Sequence, residues 1–458
     1  MASSRGWKIA AVLMTVLLLA VIACGAYLLM GGFGGSGFGR DLPIEQTVEL
    51  DSDGPSDIYE MAVDDVAFEG PAAGILPAKL AGSTETVDED GIVHGVTPDG
   101  IRYTVHGRGV SSQDAGKVTL VAAGDQIATD NSMPIADAYA GSVGDGKYDF
   151  TPFYQDVAPF IGGFDLRYIN QETVMAGADR GFSGYPVFNG PDAQARAIAD
   201  VGFNLVNFAT NHTYDMGLAG IERSHAVWEG YPELLIGGSY LSQEDRETVH
   251  MIERNGITFA FLAYTYGDNH YGTAANFPNS YYVCGFDKAL IEQDVRRAQE
   301  VADAVIVSMH WGSEYTVEPN AQQEEYARFL ADLDVDLVLG SHAHIMQPTK
   351  YVTGDTGNTV LVIYGLSDFV SGWTLTDCIL SGLFTCDFVW NGEGVDLENP
   401  VWYPAIEWSD GGDVRVRMLK DMTEAEIDAN TRTRDVGNDS KYLRDFLDAA
   451  GMEIPVVM

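Results

Sequence analysis

The chain has 458 residues, enough for a large catalytic domain with appendages, and its hydrophobic fraction of 46% is that of a folded protein. Against 26 Lys and Arg stand 67 Asp and Glu, a formal net charge of −41. A surface that acidic repels nucleic acid and anionic lipid, which excludes DNA and RNA as partners; an anionic substrate has to be drawn in by local positive charge, which bound metal ions supply.

Residues 9–30 are almost wholly apolar, long enough to span a bilayer as a helix. Arg5 and Lys8 precede them, so the N-terminus is expected to stay cytoplasmic and the main domain to lie outside, giving a single-pass cell-membrane protein. A cleaved signal peptide and a lipoprotein box at Val21-Ile22-Ala23-Cys24 are the competing readings, and both also place the body outside. The apolar run continues past Cys24 to Met30, which favours an uncleaved anchor. Residues 1–30 are therefore read as cytoplasmic tip and transmembrane anchor, 31–40 as a Gly-rich linker, and 41–115 as an acidic stalk with some β structure. Within the stalk, 92–105 reads as a hairpin that turns at Thr97-Pro98-Asp99-Gly100.

From Lys117 onward strands alternate with helices. Buried strands are expected at 118–123, 203–208, 257–266, 304–309, 335–340 and 359–364, and helices at 192–200, 287–302 and 322–332. That alternation argues an α/β architecture with its site at the strand ends. Beyond Trp408 the chain turns polar, with peripheral helices at 423–429 and 441–450. The domain is read as 116–410, with a C-terminal helical extension over 411–458. Cys378 and Cys386 are close enough in sequence to form a small disulfide loop; buried, reduced thiols are the other reading.

Chemistry gathers at the strand ends. Gly124-Asp125 closes the first core strand, Asn170-Gln171-Glu172 follows the next, and Asn211-His212 ends another, with Asp215 just beyond. His310-Trp311-Gly312-Ser313-Glu314 and Gly340-Ser341-His342-Ala343-His344 complete the set. Alternating residues at the end of an extended segment share a face, so His342 and His344 are expected to point into one cavity. This mix of oxygen and nitrogen donors suits manganese, zinc or iron and disfavours calcium or a thiolate site. His94, His106, His225, His250 and His270 lack a strand-end context and read as ordinary; Trp311 and Tyr315 read as packing, and Arg167 and Arg180 as candidate substrate anchors.

In order, these motifs are G-D, N-x-E, N-H-x-x-D-x-G, H-x-G-x-E, G-x-H-x-H and the late Gly365-Leu366-Ser367-Asp368-Phe369. The series resembles the CapA-type capsule synthesis family, the poly-γ-glutamate capsule proteins, over residues 117–372. The resemblance implies a metallophosphoesterase-like (calcineurin-like) fold, a four-layer α/β/β/α sandwich. It implies one or two divalent metal ions held by Asp125, Glu172, Asn211, His310, His342 and His344, with His212 protonating a leaving oxygen and Asp215 orienting it. By the same likeness the protein is expected to serve synthesis, export or attachment of a capsular polymer, acting on an anionic polymer or phosphoester, alone or in an export complex. A non-catalytic accessory subunit and a secreted nucleotidase-like phosphodiesterase are the alternatives. Two departures stand out: Gln126-Ile127 replaces the D-x-H pattern of phosphoesterases, and Asp368 replaces the Asn of the family's late motif.

Overall fold

The computed structural model describes residues 78–109, 116–433 and 439–458. The apolar run 9–30, the linker, and residues 41–77 and 110–115 of the stalk lie outside them. Among the described residues no helix is long and apolar enough to cross a membrane.

In chain order the strands are β1 (Thr84–Val87), β2 (Val93–Val96), β3 (Arg102–His106), β4 (Lys117–Gln126), β5 (Leu166–Gln171), β6 (Leu205–Asn207), β7 (Leu235–Gly237), β8 (Val249–Arg254) and β9 (Ile257–Thr265), followed by β10 (Ala304–His310), β11 (Leu337–Ser341), β12 (Thr349–Thr353), β13 (Thr359–Ile363), β14 (Asp368–Val370), β15 (Leu380–Trp390), β16 (Val395–Trp408) and β17 (Arg415–Met418). They form a nine-stranded sheet, β1-β2-β3-β8-β9-β10-β11-β13-β12, and an eight-stranded sheet, β17-β16-β15-β4-β5-β6-β7 with β14 beside β4. The centres of both are parallel: β9, β10, β11 and β13 in one, β4 through β7 in the other.

Every residue of β9 and β10 is buried, as expected for parallel strands covered on both faces. Between them the helix Lys288–Val301 is capped by Asp287, whose side chain accepts from the backbone N–H of Ala289 and Leu290. Asn320 and Gln323 form a capping box for the helix Ala321–Asp332, which leads into β11.

The two sheets face each other. Leu120, Tyr168 and Leu205 of one meet Phe259, Phe261, Ile306 and Leu339 of the other in a shared apolar core. On the outside of the nine-stranded sheet, Ile291, Val295 and Leu330 of the helices cover Val305, Val307 and Val338. On the outside of the eight-stranded sheet, Ala195 and Ile198 of the helix Ala193–Val201 cover Val121, Ile169 and Val206. The result is the four-layer α/β/β/α order.

The hairpin at 92–105 forms, and β3 then pairs in parallel with β8, so β1–β3 extend the nine-stranded sheet. The long antiparallel pair β15–β16 was not anticipated from the sequence, and β16 carries Pro400 and Pro404, residues that argue against an interior strand. The structure accommodates both. Pro400 falls where the β15–β16 register shifts, and Pro404 lies just past the reach of β17, which begins pairing at Ala405. Cys284, Cys378 and Cys386 are buried, and Cys378 and Cys386 form no disulfide with each other.

Glu407, near the end of β16, is buried and accepts from the backbone N–H groups of Ser371 and Gly372. Burial pushes its pKa up to about 7, with the Arg432 charge opposing. A carboxyl whose folded pKa lies above its unfolded value contributes stability that is present at low pH and lost as pH rises through the folded pKa. Between pH 4.5 and 7 the wild type should therefore lose about 3 kcal/mol relative to Glu407→Gln, read from urea unfolding at each pH. Phe261→Ala, in the core between the sheets, should lower unfolding free energy by about 3–5 kcal/mol in the same assay.

Candidate metal centre

The parallel strands of both sheets end at one place, and the polar residues collect there. Asp125 lies at the end of β4, Glu172 follows β5, Asn211 and His212 follow β6, His310 ends β10, and Asp368 opens β14 beside Asp125. Two glycines make the approach possible. A Cβ on Gly124 would sit 1.9 Å from the Ser367 carbonyl oxygen, and one on Gly340 would sit 2.1 Å from that of Tyr364. The glycine in each motif is thus a steric requirement of the neighbouring backbone.

His342 and His344 do converge, their ring centroids 6.1 Å apart, and His310 stands 4.9 Å from His342. The strand pleat is not the cause. β11 ends at Ser341, and both histidines lie beyond it in left-handed backbone, at φ 93° and 59°. Left-handed backbone in residues with a Cβ is strained and gathers at functional sites.

Asp125, His344 and Asp368 are all buried, and one ligand atom from each lies within 4.8 Å of the others. Asp125 Oδ1 accepts from Asn170 Nδ2 at 2.9 Å, and its Oδ2 accepts from the His342 N–H at 3.2 Å. His344 Nδ1 donates to Asp368 Oδ1 at 2.8 Å, which turns Nε2 toward Glu172 Oε1, 3.9 Å away. A carboxylate that takes one ring proton of a histidine and leaves the other nitrogen free is the usual support of a metal-bound imidazole.

Three buried atoms here have no hydrogen-bond partner: Glu172 Oε2, His342 Nδ1 and Asp368 Oδ2. Burial of unsatisfied polar atoms is costly, and three at one spot call for a missing positive charge. The electrostatics agree. Burial, with the charge of Asp368, pushes Asp125 up to about 7. Burial also drives Glu172 well above the usual carboxylate range and raises Asp368. Burial and neighbouring imidazoles hold His310 and His342 well below the usual range, as neutral ligands require. Burial acts to lower His344 as well, but the charges of Asp368 and Glu172 overcome it and leave it raised. The donor set fits a divalent cation.

His310 Nε2 and Asn211 Oδ1 are 2.8 Å apart, while His310 Nδ1 is 2.9 Å from Ser341 Oγ. When His310 donates its Nδ1–H to Ser341 Oγ, its Nε2 lone pair stands beside Asn211 Oδ1, two donors open to one cation. Beside them, His212 Nδ1 is 2.8 Å from Asp215 Oδ2, which also accepts from the Phe188 N–H at 2.6 Å.

Of the residues singled out in the sequence, Asp125 and His344 thus share the tight group with Asp368, and Glu172 adjoins it. Asn211, His310 and His342 form a neighbouring set, and His212 and Asp215 a hydrogen-bonded pair. Asp368 was not among the expected ligands; its only sequence signal is the acid standing in place of the late-motif Asn. Ile127, where a phosphoesterase carries a histidine, is buried. Trp311 is buried and donates to the Tyr364 carbonyl, a packing role. Tyr315 instead is half exposed over His344, its ring 5.7 Å away. Arg167 lies at the start of β5, away from Glu172, and Arg180 is exposed on a short turn of helix.

Residues 119–373 match the family model described as Bacterial capsule synthesis protein PGA_cap. The PGA biosynthesis protein CapA of Bacillus subtilis (strain 168) is 28% identical over 184 residues, 40% of this chain and 46% of that protein. The capsule biosynthesis protein CapA of Bacillus anthracis is 26% identical over 187 residues, 40% of this chain and 44% of that one. The chain therefore spans about half the length of the curated relatives it matches. Among solved structures, a hypothetical protein from Thermus thermophilus aligns at 13% identity over 62% of this chain and 99% of its own, with a TM-score of 0.36. The sulfate thiohydrolase SoxB of Thermus thermophilus aligns at 14% identity over 74% and 61%, also at 0.36. Likeness at that level bears on no activity.

Asp368→Asn should weaken zinc or manganese binding roughly tenfold or more, by calorimetry on the full chain. Gly340→Ala should cost about 1–3 kcal/mol in unfolding free energy and weaken the same binding, since the added methyl displaces the backbone next to His342.

Proposed function

The chain belongs to the bacterial capsule synthesis protein family PGA_cap, and we propose that it acts on a capsule-type polymer at a metal centre, as a hydrolase or transferase. The observation that carries this reading is the buried group of Asp125, His344 and Asp368, with unsatisfied atoms of Glu172, His342 and Asp368 around it. Asp125, His344 and Asp368 would hold a divalent cation, which would supply the positive charge an acidic protein needs to accept an anionic polymer or phosphoester and would polarise the group under attack.

The chain's own residues divide the remaining work. Asp215 holds one ring proton of His212 at Nδ1, so Nε2 is the nitrogen that, once the ring carries a second proton, gives it to a leaving oxygen. Phe188 packs edge-on to the His212 ring at 4.6 Å and keeps water from that side. Asn170 and the His342 N–H fix both oxygens of Asp125. We place this domain outside the cell membrane, held by the apolar run 9–30, where a capsular polymer or an export complex is within reach.

One observation favours the accessory reading, a metal-stabilised subunit without turnover: Ile127 stands where a histidine would complete a phosphoesterase site. Assays of the full chain with added manganese on an aryl phosphate, a nucleotide panel and γ-glutamyl peptides separate the readings. Hydrolysis should fall by about 10²- to 10⁴-fold in His212→Ala. Equal rates for wild type and His212→Ala on every substrate would leave the accessory role, and a preference for nucleotides would point to the nucleotidase-like alternative.

A further inference from the structure

Asp215 has an incomplete set of partners. Its carboxylate is fully buried, and Oδ2 takes both His212 Nδ1 and the Phe188 N–H. Oδ1 has no hydrogen bond. A buried carboxylate oxygen left without a donor is destabilising. His270 Nε2 stands 3.4 Å from it, on an imidazole that is 41% exposed.

The loop after β9 presents this histidine in a fixed way. Asp268 Oδ1 accepts from the backbone N–H groups of His270 and Tyr271, at 2.8 and 3.2 Å. Asp268 Oδ2 accepts from the Tyr214 N–H at 3.3 Å, and the Asn269 N–H donates to the Asn211 carbonyl at 3.0 Å. The loop is therefore tied to the turn that carries Asn211, His212 and Asp215. The charged groups facing His270 are Asp215 and Asp268, with His212 across the Asp215 carboxylate. Asn269 Nδ2 also lies 3.2 Å from His212 Nε2, so two consecutive loop residues address the same pair.

We propose that His270 is a positioning residue for His212. Its ring closes on Asp215 Oδ1, and the carboxylate, held at both oxygens, keeps one His212 ring proton on Nδ1 and so makes Nε2 the nitrogen that exchanges a proton with the reacting oxygen. This rests on the reading of His212 as proton donor to the leaving oxygen. The sequence motif N-H-x-x-D-x-G supplies only the inner pair; the third member arrives from the other sheet.

The test is histidine-selective ¹⁵N NMR on the full chain loaded with zinc, with His212→Gln assigning the His212 signals. Wild type should show one His212 tautomer, protonated at Nδ1. His270→Ala should show a mixture, and His270→Gln, which keeps an N–H donor, should restore the single form. On an aryl phosphate kcat should fall about tenfold in His270→Ala with KM nearly unchanged, and recover in His270→Gln. An unchanged His212 tautomer in His270→Ala overturns the proposal, even if that variant is less stable. If wild type turns over no substrate, the hydrolase reading falls while the tautomer measurement still decides the role of His270.

Discussion

Three carboxylates, Asp125, Glu172 and Asp368, are buried around one imidazole, and this crowding of like charge in a dry site is the constraint from which the rest follows. Without a cation they cannot all ionise, because burial and mutual repulsion both favour the protonated forms. His344 alone cannot balance them. The arrangement makes physical sense as a receptacle for positive charge, with neutral His310 and His342 alongside as further donors.

To bring those groups together, separate segments of backbone must nearly touch. Gly124 lets Ser367 reach the end of β4, and Gly340 lets Tyr364 reach the end of β11. His342, His344 and Ser367 all take left-handed backbone at the same place. Such strain persists only where the surroundings hold it, and here hydrogen bonds do so: the Asp125 N–H donates to the Ser367 carbonyl, and the Leu366 N–H to that of Gly340. The two packed sheets supply the rigidity that offsets this strain.

The net charge of −41 sharpens the problem of substrate. Glu314, whose charge reaches Tyr266 and Tyr315, and Asp268, whose charge reaches Tyr266, add further carboxylates close by. For the anionic substrate proposed above, a cation bound at this centre would serve recognition as well as chemistry. Half-exposed Tyr315 beside His344 offers an uncharged surface next to it.

The continuous apolar runs of β9, β10 and β11 announced themselves in the sequence, because parallel strands buried on both faces leave no polar alternation. Their helices, expected at 287–302 and 322–332, were equally plain, and so was the placing of Asp125, His310, His342 and His344 at strand ends. β16 carries two prolines whose missing N–H groups matter only if one knows where the neighbouring strands stop. Asp368 opens a strand of three residues, too short to carry a pattern, and its importance comes from lying beside Asp125. His270 sits in a loop and looked ordinary until β9 brought it to Asp215. Composition and periodicity report each segment's own burial; which distant segments share a pocket is decided by sheet order and close backbone contacts, which only the folded chain contains.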